Sequence, residues 1–422
     1  MVANEATPAA QPAPAAHPVQ SVEKTDCCIV GGGPAGAMLA LLLARQGIPV
    51  TLLEEHKDFD RDFRGDSIHP SIMQILDELG LADRLLQLQH SEIRHMAVQT
   101  PQGPFVVADF GRLKTRYPFI LMIPQVHFLE FITTEAQRYA HFRLVMNARV
   151  EELVEEAGRV RGVRYRAPDG WHEVRARLTV GADGRFSRIR RLAGFEATST
   201  SPPMDILWFK LPLRPGDPED SGGRFGHGAM VAMLNRFDYW QIGYVIPKGH
   251  YQELRAAGLD AFHATFAEIV PDFADRIDTL KDWKQVSLLS VESSCLPRWY
   301  RRGLLLIGDA AHVMSPVGGV GINYAIQDAV VAANVLTRPF QAGQLRLRDL
   351  AAVQRQREWP VHAIQYMQAA IQKGLFASVL SSQDQKGLEI PPAVRTLLRV
   401  PIVRDLPARL IAFGIRPVHL TN

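Results

Sequence analysis

Two groups of residues, far apart in the chain, have the types and spacing to hold one large ligand. The later group is Gly308-Asp309-Ala-Ala-His312, followed by Pro316, Gly318, Gly319, Gly321, Ile322 and Asn323. The earlier is Gly31-Gly-Gly33-Pro34-Ala35-Gly36, with Glu54 and Glu55 further along. An acid at a strand end can take the hydroxyls of a sugar-like chain. Glycines ahead of a helix let a ligand approach the backbone and meet the helix's free N–H groups, which favour negative charge. In the Gly-x-Gly-x-x-Gly spacing the first glycine makes a tight turn, the second admits a pyrophosphate, and the third lets helix pack on strand. Glu54 lies about twenty residues on, where an acid takes ribose hydroxyls.

These residues need particular elements to position them. Apolar residues 26–30 suit a strand, 37–46 a helix closed by Gly47, and 49–53 a second strand, which together make the βαβ context the glycine pattern requires. Residues 304–307 read as a buried strand ending at Gly308-Asp309, and 322–336 as the helix after the glycine loop. A third strand, residues 178–182, also ends on an acid and a glycine, Asp183-Gly184, with Ser187 and Arg190 at an expected helix start. In open α/β sheets, ligands bind at such C-terminal strand ends.

Helices are also expected at 71–79, closed by Gly80, and at 126–139, opened by Gln125. Strands are expected at 95–110 and 142–170, with Pro168-Asp-Gly170 as a hairpin turn. The pattern changes at 204–291, where strands at 206–212, 230–234 and 239–245 accompany a helix at 260–273. This block lies between two ligand-binding strands and is the natural substrate region. Its Trp208, Phe225, Met230, Met233 and Tyr239, together with Pro316, are candidates to line a flat apolar pocket, though some must serve as sheet core.

The expected division has four parts. Residues 1–23 form a disordered Ala/Pro-rich leader. Residues 24–90, 120–200 and 293–340 form the cofactor domain, and 91–119 with 201–292 the substrate domain. Residues 341–422 form a C-terminal helical region. A formal net charge of +3 over 422 residues, without a long basic run, gives no case for nucleic acid. The 3 cysteines show neither disulfide nor metal spacing, as suits a reducing cytoplasm; Cys27 and Cys28 read as core. No apolar run approaches the roughly 18 residues of a membrane span. Arg395, Arg399, Arg404 and Arg409 are interleaved with apolar residues. That block reads as an interfacial membrane helix or, more often for such segments, as a helix packed on its own protein. His69 and His227 read as surface or packing histidines, and His312 as structural rather than a base.

The three strand-end motifs together resemble the single-component FAD-dependent aromatic hydroxylases, the para-hydroxybenzoate hydroxylase-like group of flavoprotein monooxygenases, over residues 25–336. The resemblance implies an α/β fold: a Rossmann-like FAD-binding domain, an inserted mixed-sheet substrate domain and a C-terminal helical segment. It implies that Gly31, Gly33 and Gly36 receive the FAD pyrophosphate and Glu54 the adenosine ribose, with Pro34, Ala35 and Glu55 also among the cofactor-binding residues. Arg64 and Gln125 would reach FAD. Asp183 and Gly184 would serve both FAD and the nicotinamide donor. Gly308 and Asp309 would bind the ribityl chain, and Pro316, Gly318, Gly319, Gly321, Ile322 and Asn323 would line the isoalloxazine ring. The implied reaction uses NADH or NADPH and O2 to hydroxylate a phenol, quinolone or polyketide-like aromatic through a flavin C4a-hydroperoxide. It uses no metal and no protein nucleophile, in a cytoplasmic monomer or homodimer. A flavin epoxidase, halogenase or reductase on the same scaffold stays open, although Tyr239-Trp-Gln-Ile-Gly-Tyr-Val-Ile-Pro247 does not fit the halogenase Trp-x-Trp-x-Ile-Pro spacing.

Overall fold

The computed structural model describes residues 18–60, 66–100, 103–218, 221–226, 229–381 and 400–421. Strand β1 (Val19–Val30) ends on four buried residues and turns at Gly31 into helix α1 (Pro34–Arg45). That helix is apolar on nearly every side because it is covered on nearly every side. Strand β2 (Val50–Leu53) returns beside β1 and completes the βαβ unit. Helix α2 (Gln125–Ala136) and strand β3 (Gly170–Gly181) follow, then strand β4 (Leu304–Leu306), helix α3 (Gly321–Gln341), helix α4 (Leu347–Ser381) and helix α5 (Pro401–Phe413).

The main sheet has the order Tyr300–Arg301, β4, β3, β1, β2, Phe142–Val145. From β4 to Phe142–Val145 every pairing is parallel. Helices α1 and α3 pack against each other, and α1 also meets α2. This is an α/β architecture. A hairpin of Arg159–Ala167 with β3 turns where Pro168-Asp-Gly170 predicts it.

A second, mixed sheet of seven strands runs Ser287–Ser290, Met204–Pro212, Tyr239–Pro247, Ala229–Arg236, Gly222–Gly226, His95–Thr100, Gly103–Asp109. It is mixed because Gly222–Gly226 runs parallel to His95–Thr100. One face buries Leu207, Phe209, Val231, Met233, Ile242 and Tyr244 together with Phe262 and Phe266 of the helix Leu259–Ile269.

Three expectations need correction. The leader does not extend to residue 23: β1 starts at Val19 and pairs with β3 from Trp171 onward. That half of the strand is polar, so a long partner strand, not apolar content, decides it. The helix expected at 260–273 stops at Ile269 and gives way to a 3-10 turn, Pro271–Phe273. Pro271 has no N–H to continue the ladder and disfavours helical backbone at Val270. Helix α4, which the sequence pattern suggests over 347–371, runs on to Ser381.

The apolar side of α5 packs inward, Ala408 and Ala412 being buried with Ile93, Phe110 and Met122. Arg395 and Arg399 lie outside the described residues. Among the described residues, no helix is long and apolar enough to cross a membrane. All three cysteines are buried and free.

Candidate active site

Three strand ends meet at one edge of the main sheet. Val30 of β1 sits beside Gly181 of β3, and Gly181 beside Leu306 of β4. Backbone bonds continue the ladder past the strands: Gly31 N–H to Leu53 O at 2.8 Å, Ala182 N–H to Val30 O at 2.8 Å, and Ile307 N–H to Gly181 O at 3.0 Å. Gly31, Asp183 and Gly308-Asp309 therefore emerge together. Two of the glycines are sterically required. A Cβ on Gly31 (φ +103°) would stand 2.7 Å from Asp183 Cα and overlap the Ala182 carbonyl. One on Gly308 (φ +58°) would press between Ala35 and Ala325, at 3.2 and 3.3 Å, at the starts of α1 and α3.

Those two helix starts form the open part of the site. Neither has a side-chain cap or an acidic residue in its first turn. A Cβ on Gly33 or Gly321 would meet nothing within 4 Å. Two positive helix ends with first-turn N–H groups that lack helical partners thus face open space, as seats for negative charge. Gly308, the residue before Asp309, packs against both. The structure fits a long ligand anionic at two places with hydroxyls between, and FAD has that form.

Several expected contact residues also make bonds within the protein. Glu54 is buried; it accepts the Gly32 N–H at 2.8 Å and the His56 Nδ1 at 2.7 Å, so it pins the glycine turn. Glu55 pairs with Arg149 at 3.2 Å on the surface. Asp183 accepts Ser187 Oγ at 2.5 Å and the N–H groups of Arg188 and Ile189 at 2.7 and 2.9 Å, so its carboxylate holds a helix start. Burial pushes that carboxyl up against the pull of those donors. Arg190 donates to the carbonyls of Ala310 and Arg185, which ties the Asp183 turn to the Asp309 turn. Asn323 holds the glycine loop: its Nδ2 donates to Ser67 O and Gly319 O at 3.1 and 3.2 Å, and its Oδ1 accepts the His69 N–H. Gly318 and Gly319 are both left-handed there (φ +80° and +63°). The backbone N–H of Gln125 donates to Asp66 Oδ1 at 2.9 Å. Arg64 and His227 lie outside the described residues.

The seven-stranded sheet turns its second face toward this loop. Side chains alternate along a strand and cross-strand partners share a face. Register therefore puts Trp208, Phe225, Met230 and Tyr239 together, with Arg236 and Lys210. Trp208 packs in a cluster that includes Val317, next to Pro316. Met233 belongs to the opposite face and is core, so its place among pocket candidates is corrected. Arg236 is buried and ion-pairs with Asp66, joining this sheet to the segment that holds the glycine loop. Burial raises the Asp66 carboxyl, with Arg236 and the Gln125 N–H opposing.

The main feature missed from sequence is Asp328, in the middle of α3. It is fully buried and accepts the Gly308 N–H at 2.9 Å, His312 Nε2 at 2.6 Å and Arg357 Nε at 2.7 Å. Burial would raise its carboxyl, but His312 and Arg357 outweigh that and hold it below the usual carboxylate range. Arg357, from α4, is fully buried and lies over the Tyr324 ring. A lone acid inside an apolar helix was the available signal; the partner's position was not. His312 is buried against Asp328, and His69 is buried, so of surface and packing roles it has the packing one.

A protein-family model described as an FAD binding domain matches residues 24–361, and the chain belongs to this family. Its relatives include the 6-methylpretetramide 4-monooxygenase of Streptomyces rimosus, 35% identical over 403 residues, covering 94% of each chain. The fold matches the crystal structure of p-nitrophenol 4-monooxygenase PnpA from Pseudomonas putida DLL-E4, with a TM-score of 0.75 at 20% identity, over 94% of this chain and all of that one. The flavin-dependent brominase Bmp2 shares the fold with a TM-score of 0.74 at 18% identity, over 94% of each chain. The protein is an FAD-dependent monooxygenase.

Proposed function

We propose that the protein hydroxylates a polycyclic phenol of polyketide type, with NAD(P)H as electron donor. The observation that carries this reading is the pair of uncapped helix starts near Asp309, together with a sheet face that groups Trp208, Phe225, Met230 and Tyr239. In this reading the start of α1 holds the FAD pyrophosphate, and Glu54 fixes the turn that presents it. Asp309 takes the ribityl hydroxyls. The start of α3 stabilises negative charge on the pyrimidine side of the ring. Bound FAD, reduced by NAD(P)H, supplies O2 activation. Overall, substrate C–H, O2, NAD(P)H and H+ give C–OH, NAD(P)+ and water. The protein's own task is to orient the ring and exclude water. Trp208, Phe225, Met230 and Tyr239 offer apolar area, and Lys210 and Arg236 favour an electron-rich oxygen on the substrate. The likeness to a 6-methylpretetramide monooxygenase along nearly the whole chain supports a fused-ring substrate.

The test is direct. The purified protein should carry FAD, and fused-ring phenols should accelerate its NAD(P)H oxidation. Under 18O2 the product should gain one labelled oxygen. Accelerated oxidation that yields only hydrogen peroxide across a panel of such phenols would count against hydroxylation.

A further inference from the structure

His69 is an acceptor waiting for a donor. It caps the helix Pro70–Glu78 and is 1% exposed. Its Nδ1 lies 2.7 Å from the carbonyl of Ile411 on α5. A carbonyl only accepts, so Nδ1 carries the proton. Burial drives the imidazole pKa down to about 4, against the Ile411 bond, so the ring is neutral near pH 7. Nε2 then presents a lone pair, and among the described residues nothing donates to it. Leaving a buried acceptor unsatisfied costs about 1–3 kcal/mol, and such a group calls for a reason.

Its surroundings supply one. Its backbone N–H is bonded to Asn323, the residue that holds the glycine loop. A Cβ on Gly319 would stand 3.7 Å from Nε2 and 2.8 Å from Ser67 Oγ, so any side chain at 319 would crowd the space between the glycine loop and the imidazole. The ring is held at Nδ1 by α5, and its backbone is held by the start of α3 at the head of the helix Pro70–Glu78.

We propose that His69 Nε2 accepts a hydrogen bond from the edge of a planar ring seated on the Gly318-Gly319 loop. The donor is either a phenolic O–H of the substrate or the N3–H of the flavin. This rests on the functional reading above. It makes His69 a positioning group: it fixes the in-plane rotation of that ring, and through a phenol it would also enrich the carbons ortho and para to the oxygen.

The experiment compares full-length holoenzyme with His69→Asn. Asparagine is a good helix cap, and its amide N–H can replace Nδ1–H toward Ile411, but it puts nothing at Nε2. Binding of 1-naphthol and of 1-methoxynaphthalene is read from the flavin absorbance, and apoprotein is reconstituted with FAD or 3-methyl-FAD. If a phenol is the donor, the native protein prefers 1-naphthol about tenfold, and His69→Asn loses that preference. If the flavin is the donor, the native protein prefers FAD over 3-methyl-FAD about tenfold, and His69→Asn loses that preference instead. His69→Gln, whose amide oxygen reaches the level of Nε2, should restore part of whichever preference is lost. Preferences in both pairs that are absent or survive His69→Asn, in protein that binds FAD normally, overturn the assignment alone. Protein that binds neither flavin overturns the functional reading as well.

Discussion

Asp328 holds Gly308, His312 and Arg357 at once, and Asp328→Asn breaks that arrangement with almost no change of volume. The asparagine has one acceptor oxygen where three donors converge, so at least one donor must face an NH2 group. It also removes the counter-charge of Arg357, which is fully buried and cannot lose its proton. Breaking a buried pair from one side costs about 3–5 kcal/mol, mostly the stranded charge. Arg357→Met strands the carboxylate instead and should cost a similar amount. Removing both charges should be far cheaper: Asp328→Asn/Arg357→Met should lie within about 2 kcal/mol of the native protein, because an ion pair replaced by apolar volume is often near neutral. The assay is urea unfolding of the FAD-loaded protein for all four members of the cycle. FAD retention should fall in both single variants, since Asp328 holds the N–H of the residue before Asp309. Strictly additive costs would refute the reasoning, because they would mean that the two side chains do not share one electrostatic site.

Three further outcomes follow from the same geometry. Gly31→Ala should yield folded or partly folded protein without FAD and cost about 3 kcal/mol or more, checked by flavin content and urea melts, because its Cβ meets the backbone of Ala182–Asp183 in a left-handed conformation. Met233→Ala and Met230→Ala should behave oppositely. The first empties a core position and costs about 2–4 kcal/mol of stability, whereas the second costs under about 1 kcal/mol and shifts KM for the aromatic substrate. Stability should also fall on mild acidification. His69 has a folded pKa of about 4, below its unfolded value, so its contribution is full above about pH 6.5 and is lost as pH falls toward 4. That loss is at most about 3 kcal/mol, and His69→Asn should flatten the slope in urea melts across the same window.

Local pattern exposed the frame of this molecule because short-range physics builds it. The glycine turn, the two strands around it, the acid-ended strands and the helix after Gly321 are each encoded within about twenty residues, by apolar runs and by positions where only glycine fits. The same locality explains why Ser187 could be placed at a helix start and Pro168-Asp-Gly170 at a hairpin. Where the encoding is not local, the reading stopped short. The polar half of β1 is a strand because β3 lies beside it, and nothing within residues 19–25 says so.

Asp328 with Arg357, Asp66 with Arg236, and His69 with Ile411 show the same limit at the site. Each pair joins residues remote in sequence, on elements whose docking is decided by how apolar faces pack. Met233 and Met230 are three residues apart and chemically identical, yet one is core and the other faces the glycine loop, because strand register sets the side. By itself the sequence determined the glycine turn, the acid-ended strands and the class of chemistry, since these depend on backbone conformations written into glycines and strand ends. Only the tertiary structure decided which polar groups are buried and which of them pair with one another. Neither burial nor a hydrogen-bond partner across the chain exists until the sheets and helices are packed together.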